Sequence, residues 1–278
     1  MTTRFGYCCI NTTLQKQGIT CNRTARKATF ESKGMQYIAR LVLENLADLE
    51  RVVQWNADNG VEVFRMSSDM MPWASEYDIL EMPFSDLVVS RLERIGEVAI
   101  ANGQRLTFHP AQFNCLASES ESVILNSIKD MTYHGTIMDI MGLPRDPSAC
   151  INIHIGGAYG DHASALDRWC RNIERLPSSV LSRLTVENDD KRNMFSTAML
   201  YEGVHKRTGT PIVFDSLHFA CGPQDSTYSE AIGMAVSTWP AGTRPICHHS
   251  SSRKRWEDPA TPSPATHADY IHERFEDC

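Results

Sequence analysis

The sequence predicts an α/β fold built from repeated βα units, and two observations carry the prediction. Short strand-like runs alternate with longer helical runs along the chain, and such units build either a doubly wound parallel sheet or a closed barrel. The strand-like runs are apolar on both faces, as strands of a helix-covered parallel sheet must be. The length of 278 residues suits one α/β barrel of about 250 residues, so positions 1–278 are read as a single domain.

Seven strands are expected, over Arg4–Ile10, Val61–Ser67, Gln104–His109, Cys150–Ile155, Arg183–Asn188, Pro211–Asp215 and Arg244–Ser250. Each is rich in β-branched or aromatic residues. A helix over Met35–Asp58 puts Ile38, Leu41, Val42, Leu49, Val52 and Val53 on one stripe, and one over Ser85–Asn102 does the same with Val88, Leu92, Ile95 and Ala99. Gly60 and Gly103 punctuate their ends. Further helices are expected over Glu119–Met141, Ala163–Leu176, Thr197–Thr208 and Ser229–Thr238. The biased stretch Ser250–Thr266, with three prolines after Arg253, Lys254 and Arg255, reads as a long exposed loop.

Composition excludes several classes. Hydrophobic residues make up 42% and charged residues 22%, values of a soluble globular chain rather than of a disordered segment, collagen or coiled coil. Net charge is −7, which argues against coating nucleic acid by bulk charge and leaves room for local basic patches. The nine cysteines include no CxxC pair, a usage that suits reduced thiols in a cytosol. No membrane-length apolar run and no signal-peptide core occur. The expectation is a soluble, cytoplasmic protein.

The chemistry collects where the strands end. Strand three runs into His109, strand four into His154, strand five into Glu187-Asn188-Asp189, strand six into Asp215 and His218, and strand seven into His248-His249. In barrels this end of the strands carries the site. A single buried histidine there is more often hydrogen-bonded core than ligand, but five consecutive strand ends of metal-ligand type outweigh that reading. Mixed imidazoles and carboxylates favour zinc, manganese or iron. Glu187 and Asp215 are the best bridging candidates, in a site for two or three ions about 4 Å apart that would generate a hydroxide nucleophile and stabilise a leaving oxygen. Hydrolysis of a phosphate ester and sugar isomerisation both remain open on this reading.

The residues resemble the ultraviolet damage endonucleases, DNA-repair enzymes whose TIM barrel is related to apurinic endonucleases and xylose isomerases. The matching stretches are Arg4-Phe5-Gly6-Tyr7, Phe64-Arg65-Met66-Ser67-Ser68 with Pro72, His109-Pro110-Ala111-Gln112-Phe113, Asn152 through His154 to Gly157 with Tyr159-Gly160-Asp161, Glu187-Asn188-Asp189-Asp190, Asp215 with His218, and His267-Ala268-Asp269-Tyr270-Ile271. The resemblance implies two or three divalent ions, typically manganese, held by His109, His154, Glu187, Asp215, His218, His248 and His267, with Glu187, Asp215 and His109 as the catalytic set. It implies that Tyr7, Asn11, Gln112 and Phe113 probe the distorted duplex, Gln112 and Phe113 at the damaged pair. The implied reaction is hydrolysis of the phosphodiester 5′ to a pyrimidine dimer or an abasic site of double-stranded DNA, by a monomer, through a metal-bound hydroxide.

The chain departs from the family pattern at several positions. Ile246 stands where a lysine, often carbamylated, precedes the strand-seven histidine; Phe113 replaces a tyrosine; Phe219 stands where a second histidine is common; Glu76 lies near an expected histidine. The pattern also expects an eighth strand with a last glutamate ligand, whereas the sequence ends 11 residues after His267, and neither Glu273 nor Glu276 fits that role. The final strand is therefore expected to be missing or truncated. Lys16, Arg23, Arg26, Lys27 and Lys33 against Glu31 give the segment after strand one a local +4, and Arg253–Arg255 beside Trp256 form a second basic loop. Both suit phosphate contacts, and the tryptophan suits stacking on an unpaired base. The competing expectations are a relative that binds damaged DNA without cutting it, which the lost lysine and strand would explain, and a sugar isomerase or epimerase, which needs no basic loops.

Overall fold

A computed structural model of the protein describes residues 3–275, so Glu276 lies outside the described residues. The chain falls into two compact units: Met1–Ala111 with Lys129–Ile151 and Pro177–Arg183, and Gln112–Ile128 with Asn152–Leu176 and Leu184–Cys278.

The first unit opens with strand β1 (Gly6–Cys8), a short helix α1 (Thr12–Gln15) and a long helix α2 (Lys27–Asp58), followed by β2 (Val63–Met66), α3 (Ser85–Ala101) and β3 (Arg105–Phe108). It also holds most of α4 (Glu121–Ile140) and the first residue of β4 (Ile151–Ile153). Neighbouring strands are parallel, with Tyr7 opposite Phe64, Phe64 opposite Leu106 and Phe108 opposite Ile151. Most of the predicted stripe is what α2 buries: Ile38, Val42, Leu49, Val52 and Val53 are at most 2% exposed, as are Val88, Leu92, Ile95 and Ala99 of α3, whereas Leu41 is half-buried and the unpredicted Leu46 is fully buried. Each large side chain so buried contributes about 1.5–3 kcal/mol. Helix α2 begins eight residues earlier than the sequence predicts, because Gly34, at φ 70° and ψ −175°, joins a preceding helical turn to the long helix across a kink.

The second unit holds the rest of β4, α5 (His162–Ile173), β5 (Leu184–Glu187), α7 (Thr197–Leu200), α8 (Lys206–Thr208), β6 (Ile212–Asp215), α9 (Ser216–Cys221), α10 (Tyr228–Ser237), β7 (Cys247–His248) and α11 (Arg253–Trp256). The turn α6 (Ser178–Leu181) belongs to the first unit. A π-helical turn, Tyr201–His205, joins α7 to α8, so the single predicted helix over Thr197–Thr208 is continuous but widened at its centre. Strands β5, β6 and β7 are parallel, with Val186 opposite Ile212 and Phe214 opposite Cys247. Every residue of β5 and β6 is buried, which is why these runs lack the alternation of a half-exposed strand.

Two expectations need correction. Strands β1 and β7 are not apolar on both faces: Gly6 and Cys8 are exposed, and β7 is half-buried and two residues long. The stretch 250–266 is not a long exposed loop, because Ser251, Ser252 and Thr261 are buried. Ser252 pairs with His267 in an isolated bridge, and the Ser251 hydroxyl accepts the backbone N–H of His272 at 2.8 Å. Among the described residues no helix is long and apolar enough to cross a membrane, and Cys9, Cys21, Cys115, Cys170 and Cys221 are free thiols.

Candidate metal centre

Two strands place the central carboxylates. In β5 the run Leu184-Thr185-Val186 is apolar enough to be buried throughout and ends on Glu187; in β6 Ile212-Val213-Phe214 does the same and ends on Asp215. Both acids are only 1% exposed. An ionised carboxylate so placed needs hydrogen bonds and compensating positive charge.

The second unit supplies imidazoles. His248 Nδ1 lies 2.7 Å from Glu187 Oε2, His218 Nδ1 lies 3.3 Å from Oε1, and His154 Nε2 lies 3.9 Å from Oε1. The Asn152 amide also donates to Oε2, and is oriented for it by Thr185 Oγ1 donating to its carbonyl at 2.9 Å. Glu187, Asp215 and His248 each present a ligand atom within 4.8 Å of the others, and so do Asp215, His218 and His267. Asp215 belongs to both groups, so one carboxylate can serve two adjacent ions. His267 is exposed, and the others are buried or half-buried.

A further layer orients these side chains. Asn188 accepts the backbone N–H of Asp215 at 2.9 Å and donates to its carbonyl at 3.0 Å, while its own carbonyl stands 2.9 Å from His218 Nδ1. Asp215 also caps α9 by accepting the N–H of His218 at 2.8 Å. Asp189 Oδ1 lies 3.1 Å from His154 Nδ1, the carboxylate–histidine arrangement that fixes a ligating imidazole. Burial disfavours a charged His154, but Asp189, Glu187 and Asp215 outweigh it and raise its pKa to about 9. Three imidazoles around two buried carboxylates are a donor set for zinc, manganese or iron rather than calcium, so the residues present fit the expected group.

The remaining sequence-predicted residues fall as follows. His109 follows β3 in the first unit, half-buried, with Nδ1 3.1 Å from the Pro110 carbonyl. Tyr7 donates to Asn56 at 2.7 Å and accepts from Asn11 at 2.9 Å, and Asn11 also caps α1 through the N–H of Leu14. Asn11 is 8% exposed, so Tyr7 and Asn11 form a tied pair with their polar atoms engaged. Gln112 and Phe113 are exposed, Phe113 by 65%. Ile246 is buried, and Phe219 packs against Phe214 and Tyr228 with ring centroids 5.6 Å apart in each case, so both departures fill apolar space. Glu76 is exposed and pairs with Lys129 at 3.6 Å. Sequence reasoning missed Asn152 and Asn188 as orienting groups; both are buried polar residues inside apolar strand ends, a signal present in the sequence.

A family model described as UV-endonuclease UvdE matches residues 3–278. The UV DNA damage endonuclease of Bacillus mycoides is 30% identical across 99% of this chain and 84% of its own length. The UV-damage endonuclease of Schizosaccharomyces pombe is 37% identical over 192 residues, which are 67% of this chain but only 32% of the yeast protein. Among solved structures, SacUVDE superposes with a TM-score of 0.84 at 28% identity, over 97% of this chain and 86% of that one. Endonuclease IV from Thermus thermophilus gives 0.50 at 14% identity over 73% and 71% of the two chains, a likeness of fold alone. The fold class is thus the xylose-isomerase-like, apurinic-endonuclease-like (β/α) barrel type, with no eighth strand after β7 among the described residues. The motif order, the fold and the model matched from residue 3 to residue 278 agree, and the chain belongs to the UV-endonuclease UvdE family.

Proposed function

We propose that the protein is a metal-dependent DNA-repair endonuclease that hydrolyses the phosphodiester 5′ to ultraviolet photoproducts, pyrimidine dimers foremost, and to abasic sites. The observation that supports it most is the pair of buried carboxylates, Glu187 and Asp215, ending adjacent apolar strands among three imidazoles. On this reading His154, Glu187, Asp215, His218, His248 and His267 hold two or three divalent ions, manganese foremost, and His109 joins them on the strength of the resemblance. Ions held there supply a nucleophile at neutral pH and neutralise charge on the phosphate and the leaving oxygen.

The chain's own residues do the rest. Glu187 divides its two oxygens between the His248 side and the His218 side, and Asp215 joins two ligand groups, so the two acids set the spacing of the ions. Asn152 and Asn188 keep both carboxylates in place, and Asp189 holds His154 by its outer nitrogen. Exposed Gln112 and Phe113 meet the damaged pair, while Tyr7 and Asn11 act as the tied pair described above.

The test is incubation of the intact protein with manganese and a duplex carrying one defined photoproduct. The expected result is a single nick 5′ to the lesion, leaving a 3′-hydroxyl, and loss of nicking in His109→Ala. Two bound ions per chain without nicking above background would overturn the reading, and selective lesion binding in that case would identify a damage-binding relative instead.

A further inference from the structure

We infer that Tyr159 is a second aromatic contact for the damaged strand, stacking on an unstacked base near the lesion; the inference rests on the endonuclease reading and extends it to a residue outside the metal centre. Tyr159 is 63% exposed and sits at φ 47°, a left-handed backbone in which a bulky side chain is a genuine outlier. Such outliers persist only where the surroundings over-determine them, and they cluster at ligand contacts.

The surroundings of Tyr159 are such a case. Gly156 and Gly157 also have positive φ, and a Cβ at Gly157 would stand 2.7 Å from the Ala117 carbonyl oxygen, one at Gly156 2.9 Å from Cys115 Sγ. The loop carrying Tyr159 and the loop carrying Phe113 therefore touch backbone to backbone. Arg168 of α5 ties them: its Nε donates to the Ala117 carbonyl at 2.7 Å, its Nη2 to the Gly157 carbonyl at 2.8 Å, and its guanidinium lies over the Tyr159 ring, 5.6 Å from the centroid. Asn172, one turn further along the same helix, donates to the Leu116 carbonyl at 2.8 Å. One helix thus fixes both loops and presents two exposed aromatics, Phe113 and Tyr159.

An exposed ring held on strained backbone by an arginine whose side chain is only 17% exposed gains little inside the fold. A nucleobase supplies the missing partner, because aromatic–base stacking is strong and tolerant of sequence. The guanidinium, paired with Glu119 at 3.8 Å, lies over one face of the ring and leaves the other for the base. Tyr159 follows His154 by five residues, so its Cα lies at most roughly 18 Å from that of His154. At about 3.4 Å per nucleotide, that backbone separation corresponds to about five nucleotides, before the reach of the two side chains is added. Arg168 is a positioning residue in this scheme.

The test uses the full chain, a duplex with one cyclobutane pyrimidine dimer, the matching undamaged duplex, and 2-aminopurine placed beside the lesion to report stacking. Tyr159→Ala is expected to weaken binding of the damaged duplex about tenfold, the scale of one lost stack, to leave undamaged binding unchanged, and to remove the quenching of 2-aminopurine. Tyr159→Phe should retain both, and Arg168→Lys should lose part of both without losing bound metal. Equal lesion affinity and quenching in Tyr159→Ala and the parent protein would overturn this inference alone. A parent protein that neither prefers nor nicks the damaged duplex would overturn the endonuclease reading, and this inference with it.

Discussion

Arg183 in the first unit and Glu187 in the second are both buried charges, and the fold treats them in opposite ways. The Arg183 side chain is fully buried, and its donors reach Asp139 Oδ1 at 2.7 Å and the carbonyls of Pro144, Ser179 and Leu143 at 2.6–2.8 Å. Its charge meets one carboxylate and a fitted set of acceptors. Glu187 instead shares its surroundings with a second buried carboxylate, Asp215, and with imidazoles that carry positive charge only when protonated. The same contrast holds for two histidines, His134 buried and His154 half-buried. His134 is kept neutral, its pKa pushed down to about 4 by burial against the opposing effect of its bond to the Asp130 carbonyl. His154 is pulled up to about 9 by its acidic neighbours against the effect of its burial. Matched charges serve the fold; a surplus of donors marks a place that takes cations from solution.

Replacing the central acid should break that surplus most sharply. Glu187→Gln keeps the shape and the Asn152 contact region but removes the bridging charge. Manganese binding is expected to fall by more than the ~10- to 100-fold typical of outer-layer substitutions, and nicking should become undetectable, while the melting temperature without metal stays equal or rises. Titration calorimetry and a nicking assay on the same preparation check this. A variant that still holds two ions at the parent affinity would show that the carboxylate is not part of the centre.

In the first unit the corresponding substitution should cost stability instead. Asp139→Ala leaves the Arg183 guanidinium buried against carbonyls alone, and losing one partner of a buried pair costs about 3–5 kcal/mol. Urea unfolding at neutral pH measures it, and metal affinity should not change. A loss below ~1 kcal/mol would place Arg183 with the weak surface pairs.

The two histidines give the contrast a pH signature in the metal-free protein. His134 is neutral in the fold, while its unfolded counterpart protonates near 6.5, so its contribution is complete above that pH and is lost as pH falls through about 4. His154 is protonated in the fold, so its contribution is complete below about 6.5 and is lost as pH rises through about 9. Urea midpoints across the pH range should lose the acid limb in His134→Gln and the alkaline limb in Asp189→Asn. The latter should also weaken metal binding by ~10- to 100-fold, because Asp189 orients His154. Parent-like limbs in both variants would mean that other groups set the pH dependence.

Much of this was legible in the sequence. Apolar runs ending abruptly on Glu187 and Asp215 specify a buried strand and its polar tip together; the helix over 85–101 follows from amphipathic spacing and the one over 228–237 from the alternation of strands and helices, each within a residue at either end. The kink at Gly34 was not legible, because a glycine within a helical pattern reads as tolerated until its φ is known. The stretch 250–266 was misjudged because prolines and charges suggest a loop, whereas buried serine hydroxyls pin it through bonds to residues 264, 272 and 273. Such long-range side-chain bonds leave no local periodicity. The strain at Tyr159 is equally invisible in a string of letters, although the glycines around it hint at an unusual backbone.

The smallest expected effect concerns the basic residues on the sequence's list of phosphate contacts. Arg253 is paired with Asp269 and Glu257, Arg255 with Glu273 at 3.2 Å, and Trp256 is stacked on His272 with ring centroids 5.7 Å apart. These groups resemble Arg183 more than Glu187: their charges and faces already have partners within the chain. A cation that neutralises a phosphate releases a counterion and adds about 0.9 to the slope of log affinity against log salt, but one that must first leave a carboxylate gains less. Arg255→Ala should therefore change the slope for damaged duplex by under ~0.5 and the affinity by under about threefold. A slope change of the full ~0.9 would show that the Glu273 pair opens on DNA, and Arg255 would then belong with the residues that hold the substrate rather than with those that hold the fold.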